Sequence, residues 1–320
     1  MRIIERVADL LDPATAQLSR KGKGKVADDE VEQRQPEIVA RAVGKKTNRP
    51  SVAVDKYNAA DDGGEDKPAR SGSGESRMLV LDLEKLRAQS MITPDAERTP
   101  TAESFRQIKR HIVANVANPK AEPGTNLVMI TSSLPGEGKT FCAINLACSI
   151  AMEMDRTVLL VDADVARPTV LDRLGVQIKG GFMDVLLDRN VDLADVLCKT
   201  NIEKLSILPA GTQHHRATEL LTSDTMRALL VEMAERYHDR IIIFDSPPLL
   251  AASEATALAS GMGQILVVVE AGKTTESALK DALHRIESRN VVGLLLNKGQ
   301  SMGSGAYGSY GYGYGYGYGE

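Results

Sequence analysis

Short apolar runs alternate with longer helical patterns between residues 78 and 300. The runs are NLVMIT (126–131), TVLLV (157–161), LSIL (205–208), RIIIF (240–244), ILVVV (265–269) and VVGLLL (291–296). Such runs are typical of strands that are covered on both faces. The segment SFRQIKRHIVANV (104–116) has helical spacing instead. Strands separated by helices predict an α/β domain over 78–300, doubly wound around a mostly parallel sheet.

The two ends of the chain lack this pattern. In residues 1–18, apolar side chains fall on one side of a helical projection, which predicts a short amphipathic helix. Residues 19–77 are rich in Gly, Pro, Ser, Lys and Asp and are expected to form a flexible linker. Residues 301–320, SMGSGAYGSYGYGYGYGYGE, cannot make a core and predict a disordered Gly/Tyr-rich tail.

Composition narrows the functional class. The 39 Lys and Arg against 43 Asp and Glu give a net charge of -4, which argues against nucleic acid as a partner. Three cysteines are too few for a disulfide framework, which fits a reducing compartment. No apolar run approaches the roughly 18 residues that cross a bilayer. We therefore expect a cytoplasmic protein, unless a partner recruits it to a membrane.

The loop SSLPGEGKT follows the first predicted strand and precedes the predicted helix FCAINLACSIAMEM, which is the context of a P-loop. Backbone N–H groups at a helix N-terminus can converge on phosphate oxygens. Lys139 would reach the β- and γ-phosphates, and the Thr140 hydroxyl would hold Mg²⁺. The predicted nucleotide-contacting residues are Ser133, Pro135, Gly136, Glu137, Gly138, Lys139, Thr140 and Phe141. The strict pattern has glycine where this chain has Ser133, and the alternative is a Gly-rich turn with an exposed lysine.

Two further predicted strands end in carboxylates. VLLVDADVARP places Asp162 and Asp164 at one strand end, and IIIFDSPP places Asp245 at another. A carboxylate at the tip of a buried strand needs a cation or hydrogen bonds, and Mg²⁺ bound with phosphates supplies that cation. Capping of the following helix or turn is the alternative for each aspartate.

The segment LLLNKGQ (294–300) is similar to the Asn-Lys-x-Asp reader of guanine, but Gln300 stands where that motif has aspartate. This departure favours ATP over GTP as the nucleotide.

Together these motifs resemble the bacterial tyrosine kinases of polysaccharide export, which are cytoplasmic P-loop autokinases. SSLPGEGKT is similar to their Walker A motif, VLLVDADVARP to their second acidic box, and IIIFDSPP to their Walker B motif. Glu103, Arg106 and Lys109 resemble the Glu-x-x-Arg-x-x-Arg helix that assembles the family into a ring. The segment LDLEKLRAQSMITP (81–94) and the tail resemble the branch found beside exosortase genes.

The resemblance implies a P-loop NTPase-type fold and a set of roles. Lys139 stabilises charge on the transferring phosphoryl group, and Thr140, Asp164 and Asp245 hold Mg²⁺. Asp162 takes the proton of the acceptor tyrosine while Asp164 supports the metal or orients Asp162, and these two roles are interchangeable on sequence grounds. In the acidic box, Ala166 replaces the family's basic residue and Arg167 follows it.

The main rival is a partition-type ATPase of the same fold. Those proteins carry an extra lysine five positions before the P-loop lysine, and Leu134 occupies that position here. The tail supplies the positive argument, because glycines let a chain approach a cleft closely. Its expected phosphoacceptors are Tyr307, Tyr310, Tyr312, Tyr314, Tyr316 and Tyr318. Low-complexity sequence or a docking strip is the alternative for this tail.

The expected function is therefore that of an ATP- and Mg²⁺-dependent protein-tyrosine autokinase. It phosphorylates its own tail between subunits and regulates exopolysaccharide or capsule synthesis and export. The resemblance implies a ring-shaped homo-oligomer, a membrane co-polymerase or chain-length determinant as activator, and a cognate phosphatase. That activator would recruit the cytoplasmic chain to the inner face of the plasma membrane. The alternative is a nucleotide-switched regulatory ATPase whose output is its assembly state.

Overall fold

The computed structural model describes residues 3–4, 77–95, 99–286 and 291–299. Its strands form one nine-stranded sheet in the order β1-β9-β8-β3-β7-β4-β6-β5-β2. In chain order they are β1 (Ile3–Ile4), β2 (Met78–Leu79), β3 (Leu127–Ser132), β4 (Thr157–Asp162), β5 (Cys198–Thr200), β6 (Leu205–Leu208), β7 (Arg240–Asp245), β8 (Gln264–Glu270) and β9 (Val291–Asn297). Within the described residues, no helix is long and apolar enough to span a bilayer.

The helices connect the strands across both faces of the sheet. They are α1 (Leu83–Ala88), α2 (Pro100–Val116), α3 (Lys139–Ala151), α4 (Val170–Leu174), α5 (Phe182–Leu187), α6 (Leu193–Val196), α7 (Ala217–Leu221), α8 (Asp224–Arg236), α9 (Ser253–Ala259) and α10 (Glu276–His284). Helix α2 begins where Thr99 caps it: the Thr99 hydroxyl accepts a hydrogen bond from the Ala102 N–H at 3.0 Å, and Pro100 fits the first turn.

All six apolar runs form strands, and these six strands lie side by side in the sheet. The pairs β9–β8, β8–β3, β3–β7, β7–β4 and β4–β6 are all parallel. Every residue of β3 is buried, as expected for a strand covered on both faces. The predicted doubly wound, mostly parallel α/β fold is therefore confirmed.

Two hydrophobic clusters lie on opposite faces of the sheet, because successive side chains of a strand point to opposite sides. Leu127 and Met129 of β3 belong to one cluster, which also contains residues of α5, α8, α9 and α10. Val128 and Ile130 belong to the other, together with residues of α1, α2 and α3. This layering holds β3 rigidly between helices, so the loop that follows β3 starts from a fixed point.

The sheet edges were not predicted. Ile3 and Ile4 pair antiparallel with Leu295 and Leu294 of β9, so the amphipathic helix predicted over 1–18 is wrong at these two residues. The physical reason is that isoleucine favours an extended backbone, and the backbone groups of these two residues pair with the otherwise open edge of β9. The rest of 1–18 and the predicted linker 19–77, apart from Arg77, lie outside the described residues. At the opposite edge, β5 runs antiparallel to β6 and pairs with β2.

Candidate nucleotide and phosphoryl-transfer site

The loop predicted to bind phosphate connects β3 to α3. Gly136 and Gly138 have φ angles of +88° and +99°, in the left-handed region that glycine adopts without strain. Helix α3 starts at Lys139, directly after Gly138, so its free N–H groups open toward the loop. The strand, loop and helix thus stand in the order that the sequence predicts, with a positive helix end available to an anion.

Three of the predicted nucleotide-contacting residues turn their side chains into the protein. The Glu137 carboxylate is 3% exposed and accepts hydrogen bonds from the Leu134 N–H, at 2.8 Å, and from the Thr274 hydroxyl. The Phe141 ring packs edge-on against Phe105, with centroids 6.4 Å apart. The Ser133 hydroxyl is fully buried. Glu137 and Phe141 could therefore contact phosphate only through their backbone N–H groups, as could Gly136 and Gly138.

Lys139 and Asp164 form a largely buried ion pair. The Lys139 Nζ lies 2.7 Å from Asp164 Oδ2, and the two side chains are 12% and 8% exposed. The next residue, Thr140, has its hydroxyl 3.0 Å from that of Thr169, which directly precedes α4. Lys139 and Asp164 thus meet, because the P-loop and the acidic box both follow strands that end at the same edge of the sheet. Pro135 lies on the exposed side of the loop.

Asp162 and Asp245 occupy neighbouring strand ends. They are paired in register between β4 and β7, and Asp245 is also paired with Ile130 of β3. Asp162 Oδ2 accepts a hydrogen bond from the Val170 N–H at 3.0 Å. Asp162 Oδ1 and both carboxylate oxygens of Asp245 are buried with no hydrogen-bond partner among the described residues. Buried carboxylate oxygens left open in this way suit a cation that arrives with its own ligands.

Both carboxyl groups are harder to ionise than in water. Burial, and then the negative charge of Asp245, raises the pKa of Asp162 to about 7. Burial raises the pKa of Asp245 to about 6, against the opposing charge of Lys139. The part of the chain that the structure describes has no cluster of three or more His, Cys, Asp or Glu able to hold a metal ion by itself. The donor set therefore fits Mg²⁺ bound jointly by carboxylates, a hydroxyl and phosphate oxygens.

A cavity of about 180 Å³ opens beside Asp162. Its walls are formed by Pro168, Leu171, Asp172, Ile178, Pro209, Ala210 and Gly211. A cavity of roughly 150 Å³ holds a benzene molecule, so this one has room for a single aromatic ring. Asp162 is one of the residues that line it.

Three residues that contact the P-loop were not predicted from the sequence. They lie at the end of β9 and in the loop after β8. Asn297 and Lys298 donate hydrogen bonds to the backbone carbonyls of Glu137 and Gly136, and Thr274 donates to the Glu137 carboxylate. The segment LLLNKGQ carries the signal for two of them, because it ends a strand at the same edge of the sheet as the P-loop.

The predicted assembly helix is α2, and its three marked residues differ in their surroundings. Glu103 and Arg106 form an ion pair, and their side chains are 52% and 33% exposed. The Lys109 side chain is only 9% exposed, pairs with Glu153 and donates a hydrogen bond to the Ser149 carbonyl at 2.9 Å. The Lys109 ammonium is used inside the subunit, where it ties α2 to the end of α3, and its role in an oligomer contact stays a prediction.

The six tail tyrosines and Gln300 lie outside the described residues. The role of the tyrosines as phosphoacceptors therefore stays a prediction. So does the preference for ATP that Gln300 indicates.

Comparison with known proteins places this site in a family. A family model described as an AAA domain matches residues 125–292. Tyrosine-protein kinase YwqD of Bacillus subtilis is 30% identical over 226 residues, which are 70% of this chain and 92% of YwqD. The chain belongs to the bacterial tyrosine-protein kinase family. The kinase domain of Escherichia coli tyrosine kinase ETK has the same fold, with a TM-score of 0.56 at 26% identity, covering 73% of this chain and all of that domain.

Two further matches differ in how much of the matched protein they cover. The succinoglycan biosynthesis transport protein ExoP of Rhizobium meliloti is 33% identical over 69% of this chain, but the match spans only 28% of ExoP. A chimerical protein named CapA2B2 matches 68% of this chain at 25% identity, with a TM-score of 0.56. The match therefore leaves most of ExoP without a counterpart in this chain.

Proposed function

We propose that the chain is an ATP-dependent protein-tyrosine autokinase that phosphorylates the tyrosines of its C-terminal tail between subunits. The observation that carries this proposal is the meeting of Lys139, Asp164 and the two open carboxyls Asp162 and Asp245 at the end of the P-loop. Membership of the tyrosine-protein kinase family supports the choice of a tyrosine hydroxyl as acceptor.

ATP fits the site with its phosphates over the loop and the first turn of α3. Backbone N–H groups of residues 136–141 face the phosphates, and Lys139 leaves Asp164 to bind the β- and γ-phosphates. Thr140, Asp164 and Asp245 would hold Mg²⁺ jointly with phosphate oxygens. When bound, the ion would supply charge neutralisation, which is the main requirement of phosphoryl transfer.

Asp162 is the proton acceptor in this proposal. The acceptor phenol enters the cavity beside Asp162, and its oxygen forms a bond to the γ-phosphorus while the bond from that phosphorus to the bridging oxygen of ADP breaks. The phenol proton passes to the Asp162 carboxylate. Asp162 is placed for this role because its Oδ1 is buried with no hydrogen-bond partner among the described residues, so that oxygen is available to a proton. Lys139 stabilises the charge that develops on the leaving ADP.

The tail reaches this cavity from a neighbouring copy. Alternating glycines give the chain a backbone that approaches a cleft without side-chain clashes, and they present one phenol at a time. Ring assembly places the tail of one subunit at the site of the next, and the exposed pair Glu103–Arg106 on α2 is the described candidate for that contact.

The name of one relative supports the biological setting that we propose. The name of ExoP includes succinoglycan biosynthesis and transport, which supports a role in the synthesis and export of exopolysaccharide or capsule for this chain. A membrane co-polymerase or chain-length determinant would act as activator and recruit the cytoplasmic chain to the inner face of the plasma membrane. A cognate phosphatase would reset the tail.

The test is incubation of the pure protein with Mg-ATP, followed by detection with phosphotyrosine antibody. We expect a signal from the wild type and none from Lys139→Met, because the substitution removes the charge that binds the phosphates but keeps an apolar stem of similar length. Thermal unfolding of both proteins checks that the variant is folded. Hydrolysis of ATP without phosphotyrosine in the wild type would contradict the kinase and favour a regulatory ATPase.

A further inference from the structure

The strand-end motif Asn297-Lys298 points at the P-loop. Asn297 is 5% exposed, and its Nδ2 donates a hydrogen bond to the Glu137 carbonyl at 2.9 Å. The Lys298 Nζ donates to the Gly136 carbonyl at 2.7 Å. Two adjacent side chains of one strand end thus hold two adjacent carbonyls of the loop.

The loop after β8 completes the contact. The Thr274 hydroxyl donates to the Glu137 carboxylate and accepts a hydrogen bond from the Glu270 N–H at 3.0 Å. The Glu270 carboxylate in turn lies 3.3 Å from the Lys298 Nζ. Thr274, Asn297 and Lys298, which we call the P-loop clamp, are therefore joined to one another as well as to the loop.

The backbone is shaped to allow this approach. A Cβ atom on Gly138 would lie 2.1 Å from Asn297 Nδ2, so only glycine leaves room for the amide at that position. Lys298 has a φ angle of 55°, in the left-handed region that non-glycine residues adopt at a cost. That conformation persists where surrounding contacts hold it, and the hydrogen bond to Gly136 and the ion pair with Glu270 are two such contacts.

The geometry of the peptide bond gives these contacts a consequence. In a trans peptide the C=O of one residue and the N–H of the next point in opposite directions. Lys298, by holding the Gly136 carbonyl, directs the Glu137 N–H away from itself. Asn297, by holding the Glu137 carbonyl, does the same for the Gly138 N–H. These are two of the N–H groups that the P-loop would offer to phosphate.

We propose that the P-loop clamp pre-orients the Glu137 and Gly138 peptides for the phosphates, so that Asn297 and Lys298 are positioning residues and not readers of the purine base. This assignment explains why an Asn-Lys pair is present although Gln300 replaces the aspartate that recognises guanine. It rests on the nucleotide-binding part of the proposed function and does not depend on the transfer to tyrosine.

The first test compares Asn297→Ala with Asn126→Ala in the full chain. Asn126 is a matched control, because it is 8% exposed and also donates its amide to backbone carbonyls, but at the amino end of β3. Binding of Mg-ATP and of Mg-GTP is measured by calorimetry, and folding by thermal unfolding. We expect Asn297→Ala to raise both dissociation constants about tenfold, the factor that a buried hydrogen bond is worth. Asn126→Ala leaves them unchanged.

The second test uses two lysines that share one partner. Lys273 and Lys298 each lie 3.3 Å from Glu270, but only Lys298 contacts the loop. Lys298→Met should weaken both nucleotides roughly threefold because its hydrogen bond is more exposed, and Lys273→Met should not. Lys298→Gly relieves the left-handed backbone, so its affinity should fall without a loss of thermal stability.

The ratio of ATP to GTP affinity separates the two roles. A clamp changes both affinities by the same factor, so the ratio stays at the wild-type value. A changed ratio in Asn297→Ala would overturn the proposal in favour of base reading, and unchanged affinities would overturn it outright. Failure of the wild type to bind either nucleotide would contradict the proposed function instead.

Discussion

At the scale of single residues, the buried carboxyl groups of the site lower the stability of the folded protein. Asp162 and Asp245 are paired in register, almost without exposure, and three of their four carboxylate oxygens have no hydrogen-bond partner among the described residues. Water would solvate these oxygens better than the protein does. The arrangement is therefore unfavourable without its ligands, which is a common property of functional sites.

The pH dependence of the free energy of unfolding tests whether the buried carboxyl of Asp162 destabilises the folded protein. The pKa of Asp162 is raised from 3.8 to about 7 in the folded protein, so the neutral carboxyl is favoured there. Its contribution to stability is complete below pH about 4 and is lost as the pH rises through about 7. In metal-free protein, Asp162→Asn should therefore raise the free energy of unfolding by about 2 kcal/mol more at pH 8 than at pH 5. Urea denaturation at the two values measures this.

The asparagine keeps an oxygen that can accept the hydrogen bond from the Val170 N–H, so the comparison isolates the charge. Asp172→Asn makes the same substitution at an exposed carboxyl of the same cavity and serves as the matched control. An increase in the free energy of unfolding caused by Asp162→Asn that is the same at pH 5 and pH 8 would contradict a raised pKa of Asp162 in the folded protein.

At the scale of elements, α2 has an inner face and an outer face with different tasks. Phe105, Ile108 and Ile112 pack into the cluster on the α3 side of the sheet, and Lys109 joins that face through its bonds to the end of α3. Glu103 and Arg106 stay partly exposed. One helix thus contributes to the fold through Lys109, and its exposed pair Glu103–Arg106 is the contact that we propose for another subunit.

Two substitutions separate these faces. Lys109→Met should lower the free energy of unfolding by about 1–3 kcal/mol, because a buried carbonyl and a carboxylate lose their partner. Arg106→Ala should cost less than about 1 kcal/mol, since exposed ion pairs contribute little. Light scattering should show a smaller oligomer for Arg106→Ala at concentrations where Lys109→Met still assembles. Equal stability losses in the two variants, or assembly lost only in Lys109→Met, would contradict this division.

At the scale of the whole molecule, periodicity predicted the central sheet because its strands are continuous apolar runs with no competing pattern. The same reasoning could not find β1, β2 and β5, which have only two or three residues and depend on partners distant in sequence. The helix predicted over 1–18 is wrong at Ile3 and Ile4, because these two residues pair with the edge of β9 instead.

The candidate site was predictable to the extent that it lies at strand ends. Asp162 and Asp245 are neighbours because the order of parallel strands brings β4 beside β7, and motif spacing was enough to expect them at one edge. The P-loop clamp and the inward turn of Lys109 were not predictable. Both depend on side-chain hydrogen bonds between segments 40 to 162 residues apart, for which the local sequence carries no signal.

Transfer of phosphate from the site of one subunit to the tail of another is tested by mixing two defective chains. One carries Lys139→Met and keeps its tail, and the other keeps its site but has phenylalanine at the six tail tyrosines. After incubation with Mg-ATP, mass spectrometry of residues 301–320 should find phosphotyrosine, and only in the mixture, because each chain supplies what the other lacks. A mixture whose tails stay unmodified, under conditions in which the wild type is modified, would contradict transfer between subunits. Unmodified tails in the wild type as well would contradict the kinase itself.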